Sequence, residues 1–135
     1  MSVCGKIRGL NSFLAFAFVL SGSIISSCSS KVKVEGFDNN AWKQDTSACN
    51  NTRIQLVDKL INNKQSLVSH KDERIMDYLG KPDNTVFFAR GKKTLIYSIV
   101  PKKSCPSFVN GTSPKSFRID IDALGRAELV YILNQ

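Results

Sequence analysis

The chain has 135 residues and carries 19 Lys and Arg against 11 Asp and Glu, a formal net charge of +8 at pH 7. This length is that of one domain and excludes a chain of several large units. An excess of cations indicates an anionic partner, with a solvated basic surface as the alternative.

The first 28 residues have the order of a bacterial secretion signal. Lys6 and Arg8 form a positive n-region, and residues 13–20 form an apolar run that is too short to span a membrane as a helix. The run Ile25-Ser26-Ser27-Cys28 then resembles a lipobox, which implies cleavage before Cys28 and diacylation of its thiol. We predict a lipoprotein signal peptide at 1–27. The alternatives are a plain signal peptide cut after Ser27, which leaves a soluble protein, and a signal anchor.

Export changes both the charge and the range of partners. Removal of residues 1–27 takes away two cations and lowers the formal net charge from +8 to +6. A basic surface beside a membrane indicates lipid headgroups as one class of partner, and export argues against nucleic acid. Residues 28–36 are small, polar and charged, so we predict a tether there, followed by the folded domain at 37–135.

Two cysteines remain for the domain, because Cys4 leaves with the signal and Cys28 is the predicted lipid site. Two thiols in an exported chain typically pair, so we predict a disulfide between Cys49 and Cys105. Two buried free thiols are the alternative. Closing a loop of this length would stabilise the fold by about 4 kcal/mol in the chain-entropy model.

A long first helix is predicted over 45–63, with Asp45, Thr46 or Ser47 as its cap. Arg53 falls within the apolar arc of this helix. A carboxylate in the interior could bind its guanidinium, or its stem could lie along the helix with the head in water, which is the commoner arrangement. The arc, about 160° wide, faces a core; it comprises Cys49, Ile54, Leu56, Val57, Leu60 and Ile61.

A short second helix is predicted after Ser69, which could cap it. Its apolar positions are Ile75, Met76 and Leu79, spaced to share one face. The sequence Leu79-Gly80-Lys81-Pro82-Asp83 then ends the helix, because glycine can close it and proline forbids its continuation.

Downstream of this stop the pattern changes to that of strands. Residues 85–89, 94–100, 117–122 and 128–133 are rich in branched and aromatic side chains or alternate between apolar and polar. The order α-α-β-β-β-β predicts an α+β fold, with two N-terminal helices packed on one face of an antiparallel meander. The meander would have four strands, or three as the alternative.

The connection at 101–115 is long for a compact domain, and such loops are usually functional or mobile. It holds the cations Lys102, Lys103 and Lys115, with the apolar Phe108 between them. We predict these four residues as contacts for a partner. A plain surface excursion is the alternative.

No catalytic, cofactor or metal site is predicted, and the chain is not expected to be an enzyme. Its one histidine, His70, is expected to be exposed, and zinc needs several His or Cys ligands. Asp120 and Asp122 share a strand face, but Arg118 lies on the same face. A solvated charge ladder is therefore favoured over a pair of catalytic carboxylates.

Together with the lipobox, two sequence motifs resemble those of the SmpA/OmlA family, small lipoproteins of the outer-membrane β-barrel assembly machinery. They are Leu79-Gly80-Lys81-Pro82-Asp83 at the helix stop and the hairpin over 117–126, with Tyr97 in the strand between them. The likeness covers about 70–133. It implies a lipid-anchored, non-catalytic accessory role at the inner face of the outer membrane. The chain departs from the family in its Cys49 and Cys105 pair, in its longer first helix, and in Ser69-His70-Lys71, which stands where a Gly-Met phrase is common.

Three functions follow as hypotheses. The first is an outer-membrane lipoprotein, facing the periplasm, that binds an envelope protein through its sheet or the 101–115 loop. The second is a binding module for an anionic envelope ligand, a lipid headgroup or wall polymer. Its cations would be Lys92, Lys93, Lys102, Lys103 and Lys115. The third is an inhibitor of an envelope enzyme, since β-lactamase inhibitory proteins use a similar small α/β unit with the sheet as the binding face.

Overall fold

The computed structural model describes residues 31–134, an α+β domain in which the helices come before the strands. The predicted signal peptide at 1–27 and the predicted lipid site at Cys28 lie outside the described residues. Within residues 31–134, no helix has both the length and the apolar character needed to cross a membrane. The helices are α1 Asn39–Gln44, α2 Thr52–Asn62 and α3 Asp72–Leu79, and the strands are β1 Asn84–Phe87, β2 Lys93–Ser98, β3 Lys115–Ile121 and β4 Ala127–Asn134.

The four strands form one antiparallel meander in the order β1-β2-β3-β4, as the sequence predicted. In the register, Leu95 lies opposite Ile119, which lies opposite Val130, and all three are buried. One residue along, Ile96, Arg118 and Tyr131 are paired across the same strands and are partly exposed. Since side chains alternate along a strand, the sheet has a core face and an outer face.

The core lies between the helices and the core face of the sheet. Its largest fully buried side chain is Trp42 of α1. The Trp42 ring packs edge-on against Phe117 at 5.9 Å and lies 6.2 Å from Tyr97. Aromatic side chains of this size contribute most to a small core.

The predicted first helix over 45–63 is wrong in its N-terminal part. Helix α2 begins only at Thr52, and Ser47, Ala48 and Asn51 all have positive φ angles. The buried carboxylate of Asp45 accepts hydrogen bonds from the backbone N–H groups of Asn50, Thr52 and Arg53, at 2.7 to 2.9 Å. Asp45 therefore caps α2 from seven residues upstream, because a carboxylate can satisfy the free N–H groups of a helix start across a turn. Residues 31–134 contain three α-helices where two were predicted, because α1 precedes the two that the sequence indicated.

The predicted tether at 28–36 is too long. Val32 and Val34 are buried in the core, and the backbone N–H of Val34 donates to the Tyr78 hydroxyl at 3.0 Å. The packed domain therefore includes residues 32–36 and begins before Phe37. Periodicity could not show this, because two valines between charged residues give no helical or strand pattern of useful length.

Helix α3 ends at Gly80, as predicted, and its start differs from the prediction. Gly80 has φ +82° and ψ −179°, and its N–H donates to the Met76 carbonyl at 2.8 Å. Lys71, and not Ser69, occupies the cap position, where no side-chain cap is formed. The backbone N–H of Ser69 instead donates to the Ala127 carbonyl of β4 at 2.8 Å, which connects the segment before α3 to the sheet.

Substituting Gly80 with alanine is expected to destabilise the fold by about 1–3 kcal/mol, because this backbone region is essentially restricted to glycine. An added Cβ would also lie 3.1 Å from Cγ of Lys43. Gly36→Ala is a matched control, with φ +67° and nothing within 4 Å of the added Cβ. Urea unfolding of both variants measures the difference, and an equal loss in the two would contradict this account of the Gly80 turn.

Candidate functional site

A groove of about 800 Å³ lies between the 101–115 loop and the outer face of the sheet. We call it the loop–sheet groove. Strands β1, β2 and β3 form its floor, and the loop forms its wall. Its lining residues are Asp83, Asn84, Val86, Ile96, Ser98, Val100, Pro101, Lys102, Lys103, Phe108, Thr112, Pro114, Lys115, Ser116 and Arg118.

All four predicted contact residues line this groove. Lys102, Lys103 and Lys115 are exposed, and Phe108 is half-buried. They come together because the loop folds back over the outer face of the sheet, so that residues from both ends of the 101–115 loop border one cavity. Whether a partner uses them stays a prediction, but the structure shows that they form one surface.

The predicted disulfide between Cys49 and Cys105 is formed, with the two Cα atoms 5.2 Å apart. It joins the 101–115 loop to the segment just before α2. The Ser107 hydroxyl donates a hydrogen bond to the Cys49 carbonyl. Within the loop, the backbone N–H of Cys105 donates to the Lys102 carbonyl at 2.9 Å, and that of Phe108 donates to the Cys105 carbonyl at 3.1 Å. The loop wall of the groove is therefore held by a covalent bond as well as by hydrogen bonds.

Among residues 31–134, the cations of the groove have no acidic partner. Lys102, Lys103, Lys115 and Arg118 form no ion pair with a carboxylate of residues 31–134. Arg118 donates instead to the Ser116 hydroxyl at 3.0 Å. The predicted charge ladder of Arg118 with the neighbouring aspartates is therefore not formed as an ion pair.

A buried ion pair lies beneath the groove, where the sequence favoured an Arg53 side chain with its head in water. Nη1 of Arg53 is 2.6 Å from Oδ2 of Asp83, and the two side chains are 3% and 5% exposed. Arg53 also donates to the Trp42 carbonyl at 3.2 Å, and its guanidinium lies 5.1 Å from the centre of the Trp42 ring. The expected exposed head for Arg53 is thus wrong, because Asp83 supplies the interior counter-charge and Trp42 a ring to stack on.

Asp83 connects this pair to the groove floor. Its carboxylate accepts from the N–H of Ser98 at 2.8 Å and from both the N–H and the hydroxyl of Ser47. Nearby, the Tyr97 hydroxyl donates to the Gly80 carbonyl at 2.9 Å. Burial is the main cause that raises the pKa of the Tyr97 phenol above its ordinary value of 10.0, so the hydroxyl keeps its proton and stays a donor.

The remaining candidate groups lie apart from the groove. Lys92 pairs with Glu128 at 3.4 Å and Lys93 pairs with Asp72, so the five lysines named for an anionic ligand do not form one cluster. His70 is half-buried, where it was expected to be exposed. Among residues 31–134, no three or more His, Cys, Asp or Glu side chains are grouped so that they could hold a metal ion.

Asp120 and Asp122 each have hydrogen-bond partners of their own. Asp120 accepts from the hydroxyls of Thr94 and Tyr131 at 2.5 and 3.4 Å. Asp122 accepts from the N–H groups of Arg126 and Leu124, each at 2.8 Å, and the Arg126 bond is the main cause that lowers its pKa. Each carboxylate is used locally, one on the sheet and one in the β3–β4 turn.

Sequence reasoning missed the floor of the groove. Val86, Ile96 and Arg118 line it from three different strands. The alternation of Leu95, Tyr97 and Ile99 could have assigned Ile96 to the opposite face, and that of Ile119 and Ile121 could have done so for Arg118. No local signal could show that the loop folds over that face.

Comparison of the chain with protein-family models, with curated proteins and with solved structures found no match.

Proposed function

We propose that this chain is a lipid-anchored protein of the bacterial cell envelope, similar in role to the SmpA/OmlA lipoproteins, that binds an envelope protein in the loop–sheet groove. The proposal assigns it no catalysis. The observation that carries it is the convergence of Lys102, Lys103, Phe108 and Lys115 on one groove over an open sheet face.

The chemistry of the groove suits a protein partner. Val86 is 37% exposed, and Ile96 and Phe108 line the groove together with its cations. Interfaces that bind proteins combine a few apolar or aromatic anchors with arginine and a polar rim. The outer face offers such anchors on a rigid sheet, since the other face of the sheet is packed against the helices.

Location is the second part of the proposal and depends on the lipobox. Cys28 stands three residues before Lys31, a stretch that can span at most about 11 Å. The chain then enters the packed domain at Val32. Acylation of Cys28 would therefore hold the domain close to the membrane surface. The family likeness makes this the outer membrane, with the domain facing the periplasm.

The proposal is tested with a photo-crosslinking amino acid at Phe108, in cells that carry the full chain. Irradiation is expected to join position 108 to an envelope protein, because the side chain borders the groove. The same amino acid at Leu124 is the control, since Leu124 is 63% exposed, lies in the β3–β4 turn and does not line the groove. Equal products from both positions, or none from position 108, would count against the groove as a binding site.

Replacing Phe108 with alanine is expected to weaken binding of that partner at least about tenfold, the effect of losing one apolar anchor of about 1.4 kcal/mol. Phe108 is only half-buried, so the unfolding free energy is expected to change by less than about 1 kcal/mol. Affinity measured with the purified partner, together with urea unfolding, checks both parts. A large loss of stability with unchanged affinity would make Phe108 a packing residue of the loop.

The unpaired cations favour a second candidate, a module that binds an anionic ligand such as a lipid headgroup or a wall polymer. Lys102, Lys103, Lys115 and Arg118 support it. Lys92 and Lys93 do not, because each has an acidic partner outside the groove. Binding to a headgroup or wall polymer would weaken steeply as salt is added.

A further inference from the structure

We infer that the occupant of the loop–sheet groove is an acidic segment of the partner protein that also carries apolar side chains. This inference rests on the proposed function and adds the chemistry of the segment that is bound. Three features of the groove support it: its uncompensated charge, its apolar floor and its size.

The described residues that line the groove carry a net positive charge. Of the described residues that line it, four are cations and Asp83 alone is a carboxylate. Oδ1 of Asp83 already accepts from Ser47, and Oδ2 accepts from Arg53 and Ser98. With both oxygens used and the side chain 5% exposed, Asp83 neutralises Arg53 and none of the groove cations.

Concentrating like charges in a concave site has a physical consequence for the partner. A cleft lined by charges of one sign focuses the electric field, which raises the local concentration of an opposite charge and speeds its association. Lys115 and Arg118 belong to strand β3, and Lys102 and Lys103 belong to the loop, so the cations reach the groove from two elements of the fold. Carboxylates placed between them would meet cations from both elements.

The apolar floor of the groove favours a peptide over a simple anion as its occupant. Val86, Ile96 and Val100 add apolar surface to a lining that also holds the cations, and Phe108 adds an aromatic ring from the loop. A phosphate or a sugar polymer would cover this surface without gaining from it, whereas leucine or phenylalanine side chains would be removed from water there. The pattern therefore fits a segment that has both acidic and apolar residues.

The size of the groove fits a short segment of chain. Its volume of about 800 Å³ lies within the range of pockets that enclose drug-sized ligands, about 300–1,000 Å³. A few residues of polypeptide can enter it, and a folded domain cannot. The partner would present this segment as a loop or a terminus.

The test uses the folded domain and two fluorescein-labelled peptides of about ten residues, long enough to extend across the groove at about 3.3 Å per residue. One contains Glu and Leu, and the other has Gln in place of every Glu. Fluorescence anisotropy is expected to show at least about tenfold tighter binding of the Glu peptide at low salt, and a smaller difference as salt is added. Equal binding of the two peptides, or no binding of either, would overturn the inference.

The site is tested with a charge-matched pair of variants. Lys102→Gln, Lys103→Gln and Lys115→Gln together are expected to weaken binding of the Glu peptide about tenfold or more. Lys33→Gln, Lys59→Gln and Lys64→Gln remove the same charge from exposed positions outside the groove and are expected to change binding less than about twofold. Equal losses in the two sets would show attraction by net charge alone and would overturn the assignment of the groove.

Two further measurements separate this inference from its alternatives. Vesicles of phosphatidylglycerol that displace the Glu peptide, when phosphatidylcholine vesicles do not, would assign the groove to lipid headgroups and overturn the inference. Mapping the peptide crosslinked to position 108 tests it in cells. A neutral or basic segment there would overturn the inference and leave the proposed function standing, whereas no crosslinked protein would remove the function itself.

Discussion

Replacing Arg53 with methionine is expected to lower the free energy of unfolding by about 3–5 kcal/mol, because the change leaves a buried carboxylate without its counter-charge. Asp83 is 5% exposed and lies 2.6 Å from Nη1 of Arg53. The variant also removes the hydrogen bond from Arg53 to the Trp42 carbonyl and the stacking on the Trp42 ring. Urea unfolding followed by the fluorescence of Trp42, which is the one tryptophan of the chain, measures the loss.

The exposed ion pair between Lys92 and Glu128 is the control. These side chains are 53% and 58% exposed, so Lys92→Met is expected to cost no more than about 1 kcal/mol. Adding Asp83→Asn to Arg53→Met removes the stranded charge and is expected to recover part of the loss. If Arg53→Met were as stable as the Lys92→Met control, the Arg53–Asp83 pair would not be a buried ion pair in the folded protein.

The parts of the fold that follow from local rules were predictable. The stop at Gly80 and Pro82 marks the change from helices to strands, because one residue type closes a helix and the other forbids its continuation. The four strands and their order followed from alternation within each run and from short turns between most of them. These signals act over a few residues, so a single sequence contains them in full.

The parts that depend on distant residues were not predictable in the same way. The apolar arc predicted one helix over 45–63. In the structure, a turn with positive φ angles breaks this stretch, and the Asp45 carboxylate caps α2 on the far side of the turn. The choice between an exposed and a paired Arg53 depended on Asp83, which is 30 residues away. Val32 and Val34 belong to the core, and Val34 is bonded to Tyr78, 44 residues away, which no period near them could indicate.

The candidate site shows the same division. The loop could be identified by its length and by Lys102, Lys103, Phe108 and Lys115, and the disulfide by the number of cysteines in an exported chain. The groove itself needed the direction in which the loop folds. The bond from Cys105 to Cys49 fixes the loop over the outer face, and this converts a cluster of charges along the chain into one side of a cavity.

Removing the disulfide is expected to cost about 4 kcal/mol, because the bond closes a loop of 56 residues in the unfolded chain. The variant with Cys49→Ser and Cys105→Ser measures this by urea unfolding against the oxidised protein, and thiol titration of the native domain verifies that the bond is present. The helices and the sheet have backbone hydrogen bonds of their own, and the Arg53–Asp83 pair does not include either cysteine, so far-UV circular dichroism is expected to stay that of a folded domain. Free thiols in the native protein, or equal stability of the two forms, would contradict the expectation.

The same variant separates two roles of the bond. Its effect on stability acts mainly through the unfolded chain, whereas any effect on binding must act through the folded groove. Without the bond, the loop keeps the hydrogen bond from the Ser107 hydroxyl to the Cys49 carbonyl but no covalent link to the segment before α2, so the cations of the loop lose their fixed distance from Arg118. Binding of the Glu peptide in the absence of urea is therefore expected to weaken about tenfold, the cost of losing a preorganised wall. Unchanged binding by a folded, destabilised variant would show that the bond stabilises the domain and has no part in shaping the groove.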